Sequence, residues 1–300
     1  MPDTAIEVEG LTKRYGGQTV VDDVSFSVRP GAVTGFLGPN GAGKTTTLRC
    51  LLGLARPTAG SATIQGTPFR RLDDPARTVG ANLEVSGAHP GRSGRQHLRS
   101  LAAMAGISDT RVERVLEVTE MTGAADRRYG KYSMGMRQRI GLAAALLGAP
   151  RILVLDEPAN GLDPAGIRWL RGVMRDTAAA GNTVLVSSHV LAEMAQTVDD
   201  VVVIHHGKVI RQGTIGELTA GARGATIVRS ADTEKLASAL RSGGAQVTVF
   251  ADGALNVDGM PAAAVGDAAL AAGVAVHQLY EAQASLEDVF FELTGGEPAT

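Results

Sequence analysis

The sequence predicts an α/β fold built on a mainly parallel sheet, followed by a small α+β domain. Three observations predict it. Short apolar runs (AVTGFLG, RILVLD, TVLVSS) alternate with stretches of helical spacing, the order that builds a parallel sheet. A glycine-rich loop, GPNGAGKT at 38–45, stands between one such run and a helix-like segment. Residues 221–300 then change pattern, with strand-like and helix-like runs in the order of a split β-α-β unit.

The elements follow in chain order. About 4–70 reads as strand-rich: AIEVEGLTKRY and VVDDVSFSVRP alternate apolar and polar residues and end in turn signals. AVTGFLG is a short buried strand that runs through the glycine loop into a helix, TTTLRCLLGL, and SATIQG is a further strand before a Pro- and Arg-containing loop. From about 92 to 148 the spacing turns helical, in SGRQHLRSLAAMAG, in SDTRVERVLEVTEMTG with Ser108 as a helix start, and in MRQRIGLAAALLG. The strand RILVLD, a helix near 165–180, the strand TVLVSS, the helix LAEMAQTV and the hairpin VVVIHHGKVIRQG complete this part. Beyond it, GARGATIVRS, AQVTVF, ALNVDG and VAVHQLY read as strands, with TEKLASALRSGG and PAAAVGDAALAAG as helices between them. The tail GGEPAT is expected to fray. These readings divide the chain into 1–220, with a helical insert at about 90–148, and 221–300.

Composition narrows the classes. Hydrophobic residues make 44% of the chain but aromatics only 4%, so the core must be aliphatic. A formal charge of −2 gives no general electrostatic case for a nucleic-acid partner. Cys50 is the only cysteine, which excludes an internal disulfide, fits a reducing cytosol, and reads as a small core residue within TLRCLLGL. MPDTAIEVEG lacks the basic start and apolar core of a secretory signal. No run approaches the roughly 20 apolar residues that cross a bilayer, so work in a membrane would need another polypeptide to do the spanning.

The chemistry concentrates in two places. In 38–45, Gly38, Pro39, Asn40, Gly41, Ala42 and Gly43 let the backbone wrap closely with its N–H groups inward, and the following helix adds a positive dipole end. Lys44 would reach the β- and γ-phosphates, and Thr45 would hold Mg²⁺ through its hydroxyl, with Thr46 beside it. The second place is YSMGMRQRIGLAAALLGAPRILVLDEP at 132–158. Asp156 ends the apolar strand, where sites gather in such folds, and would hold the metal directly or through water. Glu157 would polarise an attacking water, and His189, after TVLVSS, would touch the γ-phosphate and that water. Ser133 opens a helix whose orphan N–H groups need an anion to face, so the chain is expected to work as a pair.

These motifs, in this order, resemble the nucleotide-binding subunit of ATP-binding cassette (ABC) transporters over about residues 5–220. GPNGAGKT resembles the Walker A motif, YSMGM the signature usually written LSGGQ, ILVLDE the Walker B motif, NGLDP the D-loop with Asp163, and Ser188-His189 the switch histidine. Tyr15 in LTKRYGG matches the aromatic that stacks on adenine. The resemblance implies a P-loop NTPase core with an antiparallel β subdomain and a helical subdomain. It also implies a head-to-tail homodimer around two ATP, each held by the loop of one chain and by Ser133, Gly135 and Met136 of the other. Two departures stand out: Glu84, in VGANLEVSG, falls in the loop that links ATP to the transmembrane partner, where the family usually has a glutamine, and can still reach Mg²⁺ through water while adding a negative charge there; and Met134 and Met136 interrupt the signature. Together with GAHPGRSGRQHLR and the ending QASLEDVFFELTG, these variants resemble the group that pairs with ABC-2-type permeases, many of which export drugs, antibiotics or peptides. That places the chain at the cytoplasmic face of the membrane, held there by the permease.

Two other classes compete. Soluble ABC proteins acting on ribosomes or DNA usually carry two cassettes with a charged linker, or long coiled-coil inserts, and neither is present. A binding module without turnover would not need both Glu157 and His189. Elsewhere, His205 and His206 read as surface turn residues, Arg70 and Arg71 as a solvated loop, Trp169 as a packing anchor, and SLEDVFFEL as an amphipathic helix docked on its own domain.

Overall fold

A computed structural model of the protein describes residues 4–83, 87–219, 226–281 and 289–290. The chain divides into two compact units that part between Ile215 and Gly216. The first unit opens with β1 (Ile6–Tyr15) and β2 (Gln18–Val28), an antiparallel pair turned by Gly16-Gly17, then β3 (Val33–Leu37), α1 (Lys44–Leu51) and β4 (Ala59–Ile64). The short α2 (Pro75–Thr78) leads to β5 (Val79–Leu83), and a helical segment follows: α3 (Gly94–Met104), α4 (Asp109–Val118) and α5 (Met134–Leu146). The chain then returns through β6 (Ile152–Asp156), α6 (Pro164–Ala179), β7 (Thr183–Ser188), α7 (Leu191–Ala195), β8 (Asp200–His205) and β9 (Lys208–Thr214).

Two sheets result. β2-β1-β4 is antiparallel, and the six-stranded sheet runs β5-β6-β7-β3-β8-β9, parallel except for the β8–β9 hairpin. Strands β3, β6 and β7 are buried at every position, which is why they read as unbroken apolar runs. Phe26 of the small sheet stacks on Phe36 of β3 at 5.1 Å between ring centroids, within one core that also takes Ile6, Leu48, Ile64 and Val202. The helical segment has its own core of Leu98, Val112, Leu116, Ile140 and the Tyr129 and Tyr132 rings.

Strand β5 differs from the sequence expectation, which has a loop there. VGANL carries a glycine and a buried asparagine in place of β-branched residues because α5 lies against it. A Cβ on Gly80 would sit 2.0 Å from the Ala145 carbonyl oxygen, and Asn82 donates to Gln138 Oε1 at 3.3 Å. The helix expected over LAEMAQTV stops at Ala195, and the chain turns through buried Thr197 and Val198 into β8. Arg70 is exposed but tied down, its Nε donating to the Gly53 carbonyl at 2.9 Å. Helix α3 begins with a capping box that the sequence reading did not single out: Ser93 Oγ accepts from Gln96 N, and Gln96 Oε1 from Ser93 N.

The second unit has the order expected of it. After α8 (Ile215–Thr219), β10 (Thr226–Ser230), α9 (Thr233–Ser242), β11 (Gln246–Val249), β12 (Leu255–Asp258), α10 (Ala262–Ala271) and β13 (Val276–Glu281) form a β-α-β-β-α-β unit. Its antiparallel sheet runs β11-β12-β10-β13, and Val228, Leu255 and Val257 pack with Leu236, Leu240 and Val265 of the helices. Of SLEDVFFEL only Val289 and Phe290 are described, both buried, and GGEPAT lies outside the described residues. No helix among the described residues is long and apolar enough to cross a membrane.

Candidate active site

The carboxyl ends of β3, β6 and β7 lie side by side because the three strands are parallel neighbours; Leu37 pairs with Ser188, and Asp156 with Ser187. The loop after β3 therefore stands over the residues that end the other two. Gly38 N donates to the Ser188 carbonyl at 3.2 Å, and a Cβ at Gly38 would lie 2.1 Å from the Ile204 carbonyl oxygen, so only glycine fits this start. Pro39 and Ala42 close the loop on itself (Ala42 N to Pro39 O, 3.2 Å), and the Ala42 carbonyl accepts from Gly207 N. Helix α1 then starts at Lys44, with Gly43 at its N-cap making no side-chain hydrogen bond, which leaves the first N–H groups open to an anion.

A cavity of about 170 Å³ opens here, lined by Asn40, Gly41, Gly43, Lys44, Thr45 and Thr46, with Val20 and Glu157 on its other walls. Lys44 is 5% exposed, and its ammonium donates to the carbonyls of Gly38 at 2.6 Å and Pro39 at 3.1 Å. A buried ammonium needs a counter-charge, and Glu157 Oε1 supplies it at 3.2 Å. That oxygen is buried and takes no hydrogen bond. The other carboxylate oxygen, Oε2, meets His189 Nδ1 at 2.8 Å, so Lys44, Glu157 and His189 form one chain of contacts that starts at the cavity wall.

Asp156 is held as firmly. Thr45 Oγ1 donates to its Oδ2 at 2.6 Å, and Ser187 Oγ donates to its Oδ1. Ser187 also accepts the Glu157 N–H at 3.0 Å. Glu157 has φ +47°, an uncommon conformation for a residue with a Cβ, and this hydroxyl pins it there. Ser187 is the residue that reading by motif missed. The signal was available in the alignment of two parallel strands, which sets a hydroxyl of TVLVSS opposite Asp156. Thr45 and Asp156 bring two hard oxygen donors together, which suits Mg²⁺ sharing its remaining positions with phosphate and water. Among the described residues no group of three or more His, Cys, Asp or Glu could hold a metal without such help.

The other sequence candidates stand apart from the cavity lining. Tyr15 ends β1, 48% exposed, with Lys13 Nζ 4.6 Å from its ring centroid. Ser133 is the exposed N-cap of α5, its Oγ accepting from Met136 N at 3.2 Å. Met134 packs over Gly161, whose Cβ would meet Met134 Cγ at 2.3 Å, and Gly135 faces the Gly161 carbonyl. Asp163 caps α6 by accepting from Gly166 N at 2.7 Å. Glu84 lies outside the described residues.

A family model described as ABC transporter matches residues 21–160. The bacitracin transport ATP-binding protein of Enterococcus faecalis is 35% identical over 299 residues, covering 97% of this chain and 96% of that protein. The chain belongs to the ABC transporter ATP-binding family. A second ABC relative, the daunorubicin/doxorubicin resistance ATP-binding protein of Streptomyces peucetius, is 36% identical over 315 residues, covering 98% of this chain and 93% of the relative. Among solved structures, one described as the ATP binding subunit of an ABC transporter superposes with a TM-score of 0.66 at 30% identity, over 72% of this chain and 92% of that one. Residues 224–287 match a family described only as a domain of unknown function. As a member of this ABC family the chain is an ATPase.

Proposed function

We propose that two copies of this ABC ATPase associate head to tail around two ATP molecules and drive a separate ABC-2-type permease that exports drugs, antibiotics or peptides. Each triphosphate would be gripped by the 38–45 loop and Thr46 of one chain and capped by Ser133, Gly135 and Met136 of the other, with Tyr15 stacked on adenine and Asp163 beside the joint. The observation that carries the reading is that Lys44, Thr45 and Glu157 line one cavity, with Asp156 bonded to Thr45 and His189 to Glu157 behind them, and with Lys44 and Glu157 neutralising each other at 3.2 Å. An arriving γ-phosphate replaces Glu157 as the counter-charge of Lys44. Glu157 is then free to accept a proton from water, while His189 steadies its Oε2 side. Thr45 and Asp156, with Glu84 through water, would hold Mg²⁺, which would supply positive charge to offset that of the phosphates.

The export reading draws support from relatives named for bacitracin transport and for daunorubicin/doxorubicin resistance, and from one named for lantibiotic transport in Streptococcus pyogenes. It assigns residues 1–220 to the ATPase domain, with the helical subdomain at about 90–148, and 221–300 to an accessory domain. It sets the protein at the cytoplasmic face of the membrane, held there by the permease, with no nucleic-acid partner. Glu157→Gln tests the chemistry. The variant should bind ATP normally and turn over at least about 100-fold more slowly, the scale of a lost general base. Turnover near the parent rate would remove Glu157 from its role.

A further inference from the structure

Helices α5 and α6 begin at the two polar turns that the proposed dimer uses, Ser133 and Asp163. Their starts touch through Met134, whose side chain lies over Gly161. Contact at the starts alone leaves the two helices free to pivot. A second contact stands further along both helices, six residues in on each (133 to 139, 163 to 169), about 9 Å from the caps at 1.5 Å per residue. There the Arg139 guanidinium lies on the face of Trp169, 4.1 Å from the ring centroid.

Both side chains also bond to the C-terminal end of α4. The Trp169 indole N–H donates to the Val118 carbonyl at 3.1 Å. Arg139 donates to the Thr119 carbonyl at 3.1 Å and to Glu120 Oε2 at 2.7 Å. Glu120 has φ +54°, the left-handed turn that ends a helix, so these are carbonyls that α4 itself leaves open. The cluster thus joins three helices. The Arg139 side chain as a whole is 18% exposed.

We propose that Arg139 and Trp169 are positioning residues for the ATPase. Their stack and the Met134–Gly161 contact fix α5 on α6 at two points, so that Ser133 is presented at a set angle to the nucleotide of the partner chain. This rests on the head-to-tail reading above. It goes beyond it in naming what holds the serine turn in place within its own chain.

The test uses the full chain. Trp169 is the only tryptophan, so its emission reports the stack directly, and Arg139→Ala should shift that emission to the red. Arg139→Ala and Trp169→Ala should each lower kcat about tenfold or more, the scale of a small misplacement at a reacting centre. KM for ATP should stay within about twofold, since the phosphate loop is untouched. The double variant should be no slower than the slower single one, as expected for two halves of one contact. Trp169→Phe, which keeps a ring under the guanidinium, should recover most of the rate, and Arg139→Lys, which loses the flat stack, should not. An unshifted emission, unchanged kcat, fully additive losses, or equal losses in kcat and affinity would overturn the proposal. A Ser133→Ala control separates the two ideas. If it loses turnover while Arg139→Ala keeps it, the stack has no positioning role and the dimer stands. If Ser133→Ala itself keeps full turnover, the head-to-tail reading fails.

Discussion

Replacing Ser187 by alanine removes one oxygen atom from the interior and should disable the site without emptying it. The hydroxyl is fully buried and makes two bonds, to Asp156 Oδ1 and from the Glu157 N–H at 3.0 Å. Its loss leaves a buried amide without an acceptor, at a cost of about 1–3 kcal/mol. It also frees a carboxylate oxygen of Asp156 and lets Glu157 relax from its left-handed φ of +47°, which returns part of that cost. A net loss of about 2 kcal/mol, at roughly 2–4 °C per kcal/mol for a unit of this size, lowers Tm by about 4–8 °C. Turnover should suffer more. A carboxylate displaced by about 1 Å loses up to about 100-fold in rate, so kcat should fall by about 10- to 100-fold while KM for ATP changes by less than about threefold. Phosphate release under saturating ATP and a thermal melt read both quantities. A kcat within about twofold of the parent, or a rate loss matched by an equal rise in KM, would refute the claim that Ser187 sets Glu157 in place.

Further outcomes follow from other parts of the molecule. Lys44→Ala should weaken nucleotide binding by about 10- to 100-fold, the worth of a charge-assisted contact; unchanged affinity in equilibrium dialysis would contradict the phosphate-loop assignment. Glu84→Gln should alter Mg²⁺ dependence or coupling to the permease more than ATP affinity, and a magnesium titration of ATPase rate reads the first of these. Burial, with Arg92 nearby, holds His97 below the ordinary histidine range. The unfolded chain therefore takes up a proton there first, so stability should decline as pH falls from about 6.5 towards the lowered value. His97→Gln should flatten that decline in denaturant titrations between pH 7 and pH 5, and an unchanged slope would remove His97 as its source.

Much of the fold was legible because burial writes itself into sequence. Strands β3, β6 and β7 are covered on both faces, so they appear as apolar runs, and two of them lead directly into the phosphate loop and Glu157. The split β-α-β unit showed for a related reason, since its helices α9 and α10 and its strands β10 and β12 each bury one face. Strand β5 was hidden because Gly80 and Asn82 answer to α5, a neighbour 56 residues from Asn82 at Gln138, and not to their own strand propensity. Within the site, Lys44, Thr45, Asp156 and Glu157 announce themselves by motif. Ser187 does not, because a serine in an apolar strand carries no local sign of the carboxylate opposite. The Arg139–Trp169 stack was beyond reach for the same reason: a cation and a ring thirty residues apart meet only once α5 and α6 are packed against the end of α4.

The most direct trial of the account is the mass of the Glu157→Gln protein in solution, followed by light scattering as ATP and Mg²⁺ are added. The mass should double on addition of nucleotide and magnesium, and should fail to double when Ser133→Glu sets a negative charge against the phosphates. A protein that stays monomeric with ATP bound, or a dimer indifferent to Ser133→Glu, would contradict the claim that a triphosphate joins two copies of this chain.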